Sequence, residues 1–164
     1  MKNKLSLIII SLLFIINLGG CGIGNNANTI KNKVQNAPEQ TKNDLIKIPK
    51  DLQANMGTGS FYISTPSGTS QDGSVPVIYV AKDVQVEQIG VNTSDFDGKN
   101  LSYIFIDGIF NTKEQLSNSQ SSINLKGNAL KVGKHRVDIA QFNNNKTTDK
   151  VITHKVAYYE VKSK

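Results

Sequence analysis

The chain has 164 residues, 38% of them hydrophobic and 7% aromatic, with a formal charge of +6, one cysteine and no tryptophan. One thiol excludes an internal disulfide framework, and it builds no metal site without help from histidine or carboxylate. The charge does not argue for nucleic acid either: Lys2 and Lys4 lie at the extreme N-terminus, and residues 56–164 carry twelve basic against ten acidic groups.

The first twenty residues have three parts in fixed order: Lys2 and Lys4, an apolar run from Leu5 to Ile16, and small residues before Cys21. That is the layout of a secretory signal peptide. Its apolar run of about 14 residues is short of the ~20 needed to span a bilayer, so a cleaved signal is expected rather than a retained anchor.

Leu18-Gly19-Gly20-Cys21 resembles the lipobox of bacterial lipoproteins: a branched apolar residue, two small ones and an acceptor cysteine. The resemblance covers residues 1 to 21. It implies that Leu18, Gly19 and Gly20 are read by the signal peptidase, that Cys21 carries a covalent diacylglycerol, and that cleavage falls just before it. Two acyl chains meet the requirement for stable anchoring. The expected location is the extracytoplasmic face of the cell membrane. Abundant Asn, Lys and Ile point to an AT-rich coding sequence and a Gram-positive cell. The octapeptide LFIINLGG, residues 13 to 20, also resembles apolar mating pheromones released from such signals.

Residues 22–44 have no aromatic side chain and are rich in Asn, Gln and Lys. Such a segment buries too little apolar surface to offset chain entropy, so a disordered tether is expected over residues 21–55. Its coil span is roughly 30 Å, with an extended limit of about 110 Å. Within it, LIKIPKDLQ, residues 45 to 53, is more apolar and suited to docking on the domain or to an edge strand, where Pro49 is tolerated.

From Met56 the pattern changes to short runs of Val, Ile, Tyr and Phe separated by Gly, Asn, Asp and Ser. Strands are expected at 60–65, 75–81, 84–92, 101–106, 108–112, 122–125, 134–142 and 152–162. NTKEQLSN, residues 111 to 118, reads as a helical turn or a loop. Asp107-Gly108 between apolar runs predicts a type I′ hairpin. The slip between Val84, Val86 and Ile89, Val91 predicts a β-bulge near Glu87-Gln88. Residues 56–164 are therefore expected to form an all-β domain of seven to eight strands. LKVGKHRVDIAQF, residues 130 to 142, and HKVAYYEVK, residues 154 to 162, resemble the last two strands of immunoglobulin-like domains, which implies an antiparallel β-sandwich of that type. A different eight-stranded β fold is the alternative. The tryptophan and inter-sheet cysteines of antibody domains are absent.

The chemistry-bearing residues are sparse. His135 and His154 start the two strands of one hairpin, so antiparallel pairing sets them about 13–20 Å apart, too far to share a metal. Asp95, Asp97 and Asn100 around Gly98 are a candidate calcium loop or an Asx turn, without the late acidic ligand of an EF-hand. Adjacent Tyr158 and Tyr159 point to opposite faces, so one is expected in the core and the other on a recognition surface with Tyr103 or Phe105 nearby. No catalytic motif and no cofactor is assigned. The expected function is a non-catalytic protein-interaction module, attached to the membrane by its lipid and holding another envelope protein. A small-ligand or glycan binder is the alternative.

Overall fold

The computed structural model describes residues 46–164. The expected signal peptide, the Leu18-Gly19-Gly20-Cys21 box and the expected tether as far as residue 45 lie outside the described residues.

Nine strands form two sheets among the described residues. In chain order they are β1 (Ser60–Thr65), β2 (Gly68–Thr69), β3 (Val77–Val80), β4 (Val86–Ser94), β5 (Ser102–Ile106), β6 (Ile109–Glu114), β7 (Ser119–Lys126), β8 (Gly133–Phe142) and β9 (Val151–Ser163). One sheet has the order β2-β1-β4-β7 and the other β3-β9-β8-β5-β6. Assigning β1, β4 and β7 as strands A, B and E, and β5, β8 and β9 as C, F and G, reproduces the two-sheet arrangement of an immunoglobulin-like sandwich. Strand β3 is the exception to antiparallel pairing, lying parallel to β9 from Val77↔Glu160 to Val80↔Ser163.

Alternation builds the core. Ile63, Ile89, Val91, Ile123 and Leu125 point inward from the four-stranded sheet onto Ile104, Ile106, Val137, Ile139, Tyr159 and Val161 of the other. Each such side chain contributes on the order of 1.5–3 kcal/mol by leaving water. Asp107 and Gly108 have φ of 52° and 79° between the closing pair Ile106↔Ile109, as a type I′ turn requires.

Two local expectations are corrected. Strand β4 has no bulge at Glu87-Gln88: its register with β7 is continuous from Val86↔Lys126 to Thr93↔Ser119. Val84 instead precedes the strand, packing on the core from a turn, and Val86 faces outward at 47% exposure. Register shifts occur between Ile104 and Phe105 and between Gln141 and Phe142. Residues 111–118 hold no helical turn: Asn111–Glu114 complete β6, and a loop follows that buries Leu116.

The folded unit also begins earlier than composition suggests. Residues 46–56 run across the outer face of the five-stranded sheet, bridging Ile109 on β6 through Lys47 and His154 on β9 through Met56. Ile46, Ile48, Leu52 and Met56 pack there on a second cluster of Tyr103, Phe105, Ala140, Phe142 and Val151.

Candidate interaction face

The outer face of the five-stranded sheet holds most of the chain's unusual chemistry, and strand register explains why. Facing pairs Tyr103↔Ala140, Phe105↔Asp138, Ala140↔His154, Arg136↔Tyr158 and Lys134↔Glu160 put all these side chains on one side. Toward one end the face is aromatic. Tyr103 meets Phe142 edge-on at 5.3 Å between ring centroids, and Phe105 meets Phe110 at 5.9 Å. This is the tilted and T-shaped packing that ring quadrupoles favour. The Tyr103 hydroxyl donates to Asn145 O at 3.1 Å, and burial pushes its phenol pKa upward.

Between the aromatic end and the open end lies a buried polar cluster. Asp138 Oδ1 accepts from Arg136 Nε at 3.0 Å and Nη2 at 2.7 Å, and it lies 2.7 Å from His154 Nε2. The other ring nitrogen of His154, Nδ1, lies 2.8 Å from Gln53 O of the covering segment. His154 is fully enclosed and Asp138 nearly so. A buried carboxylate is tolerable only with such partners, so the cluster both neutralises Asp138 and fixes the end of the segment above it.

At the open end Tyr158 is 37% exposed, with Lys134 Nζ 4.3 Å from its ring centroid. Tyr79, opposite Lys162, is 53% exposed. Tyr159, the other interaction candidate, is the core member of the pair, as strand alternation predicts. Tyr159 is fully buried, donates to Ala129 O at 2.7 Å, and stacks on His135 with centroids 5.0 Å apart. Burial first, and the nearby Asp107 carboxylate second, push its phenol far above the usual tyrosine range. Tyr103 and Phe105 are likewise covered, because the segment 46–56 lies over them.

The two histidines stay apart. His135 faces Tyr159 and His154 faces Ala140, five positions along β8. Each has its own carboxylate: His135 Nδ1 lies 2.7 Å from Asp107 Oδ2, and its Nε2 lies 2.7 Å from Lys131 O. Asp107 also accepts the Arg136 N–H through Oδ1. The turn residue therefore latches the β5–β6 hairpin onto β8.

The acidic loop is an Asx turn. Asp97 Oδ1 accepts the Lys99 N–H at 3.0 Å, Oδ2 accepts the Asn100 amide at 2.9 Å, and the Asn100 N–H returns to Asp97 O. Asp95 sits at positive φ with its N–H on Asn118 Oδ1. Among the described residues no group of three His, Cys, Asp or Glu is placed to hold a metal ion. A separate groove of about 640 Å³ separates the free edges of β6 and β7, crossed by Asn111 Nδ2 donating to Asn124 O at 2.8 Å.

Sequence reasoning placed Asp107 in the turn and allowed residues 45–53 to dock on the domain, as they do, but missed Asp138 and the bonds Asp107 makes to His135 and Arg136. One signal was available for Asp138: a carboxylate between Val137 and Ile139, mid-strand, must face away from the main core and find partners there.

No protein-family model matches the chain, and no curated protein matches it. Among solved structures, the fibronectin(III)-like modules of Clostridium thermocellum CbhA are similar over 63% of this chain and 98% of that one, at 11% identity and a TM-score of 0.38.

Proposed function

We propose that the protein is a lipid-anchored lipoprotein of the bacterial envelope whose immunoglobulin-like sandwich acts as a non-catalytic protein-interaction module. Cys21, freed by cleavage after Gly20, carries the diacylglycerol, and the domain works on the extracytoplasmic face of the membrane, holding another envelope protein. The anchoring half of the reading rests on the ordered sequence of Lys2 and Lys4, apolar run, and Leu18-Gly19-Gly20-Cys21.

The observation that carries the binding half is the distribution of chemistry across the sheet face. Both nitrogens of His135 and of His154 are spent on internal oxygen partners, which ties the imidazoles to structure. What faces solvent nearby is Tyr158 under Lys134, with Tyr79 exposed on β3, side chains suited to contact rather than to turnover. Two experiments test the reading together. Metabolic labelling with a radioactive fatty acid should mark the wild type and not Cys21→Ser. Cross-linking in intact cells should capture one dominant protein. Unlabelled wild type refutes the anchor, and recovery of wall glycan alone refutes the protein partner.

A further inference from the structure

The segment 46–56 covers an aromatic face without being woven into it. It touches the sheet at β6, where Lys47 bridges Ile109, and at β9, where Met56 bridges His154. Among the described residues, its main chain between those ends bonds to the sheet only through Gln53 O, on His154 Nδ1. Lys155 Nζ then holds Gly57 O at 2.9 Å just beyond. Ile46, Ile48, Leu52 and Met56 are each only half-buried, whereas Phe105, Ala140 and Phe142 beneath them are fully buried. The sheet residues depend on the cover more than the cover depends on them. Segments with few main-chain bonds and half-exposed side chains belong to the part of a fold that opens first.

The segment also leaves the sheet through Gly57 and Gly59, at φ of 74° and 82°, with only Thr58 between them. Displacing it rotates the chain about a glycine-flanked hinge and leaves the ladders of β5, β8 and β9 intact. What would then be exposed is a contiguous patch of Tyr103, Phe105, Phe110 and Phe142, of the kind that marks a protein-binding surface. The strap shows what fits there: a segment that turns at Lys50-Asp51 and again at Ala54-Asn55, with apolar residues two apart, as in Ile46 and Ile48, another four positions on, as in Leu52, and polar residues outward.

We propose that residues 46–56 are a displaceable strap seated in cis on a binding face, and that the partner of this face is a protein segment of the strap's own apolar spacing. The proposal rests on the interaction-module reading and supplies its binding mode. A strap that competes in cis lowers the apparent affinity of any segment arriving in trans by the fraction of time it is undocked.

The test uses the full chain, wild type and with Ile48→Asp and Leu52→Asp together, against a fluorescent peptide of residues 44–57 and a peptide of the same composition with scrambled apolar spacing. The expected result is binding to the variant at least about tenfold tighter than to wild type, with the scrambled peptide failing. Equal affinity for both proteins, no binding to a folded variant, or equal binding of the scrambled peptide overturns it. Wild-type dimers formed through exchanged straps, seen by sedimentation, would name a second copy as occupant and also overturn it. If the variant does not fold, hydrogen exchange on the wild type decides: the Met56 N–H should exchange at least about tenfold faster than the central amides of β8, and equal protection refutes a displaceable strap. Capture of a cellular protein partner alongside a failed peptide test would remove this binding mode and leave the module reading standing.

Discussion

Asp138→Ala is the most informative single substitution, because three donors converge on one oxygen of a buried carboxylate. Removing it leaves His154 Nε2 without an acceptor inside a fully enclosed site, at about 1–3 kcal/mol for a buried polar group stripped of its bond. Arg136 has a side chain 44% exposed, so it regains water, and its lost pairing adds only ~0–1 kcal/mol. The expected destabilisation is about 2–3 kcal/mol. With a urea slope near 1.5 kcal/mol per M, the midpoint should fall by roughly 1.3–2 M. Equilibrium unfolding followed by circular dichroism and tyrosine fluorescence measures it. His154→Ala removes the stranded donor, so the double variant should lose at least ~1 kcal/mol less than the sum of the singles. A loss under about 0.5 kcal/mol for Asp138→Ala, or additivity within ~0.5 kcal/mol, would refute the buried cluster as a source of stability.

Tyr159→Phe strands Ala129 O and should cost about 1–2 kcal/mol by the same unfolding assay. The phenols of Tyr159 and Tyr103 are both pushed up by burial, so they should ionise last in an ultraviolet titration of the native protein. Unfolded tyrosines lose their protons near pH 10. Above that pH the native state keeps protons that the unfolded state has released, so stability present below about pH 10 should fall as pH rises toward the native pKa. Tyr159→Phe should blunt that alkaline loss. Gly108→Ala meets no atom within 4 Å of the added carbon; its cost is the left-handed backbone alone, about 1–2 kcal/mol, read as a lowered thermal midpoint with strand content unchanged.

Local patterns in the sequence carried the sheets well. The run 60–65 coincides with β1, and the Asp107-Gly108 pair makes the turn its residue types demand. The two-residue β2 and the parallel β3–β9 pair were not legible, because a short edge strand has no periodicity and parallel pairing brings Val77 to Glu160 from far along the chain. The same holds for the site. Lone histidines reveal nothing of their partners when Asp107 lies 28 residues from His135 and Gln53 lies 101 from His154. The apolar alternation of Ile46 and Ile48 was visible, yet the polar residues around it resemble a tether, and only the aromatic face beneath explains why they stay down.

Photo-cross-linking in intact cells tests the central claim most directly. A photoreactive residue replaces exposed Tyr158 on the five-stranded sheet, and in a second strain it replaces Gln88 on the outer face of the four-stranded one. A protein-interaction module that works through the five-stranded sheet should give one dominant protein adduct from position 158 and none from position 88. Wall glycan alone, or no reproducible protein adduct from position 158, would contradict it.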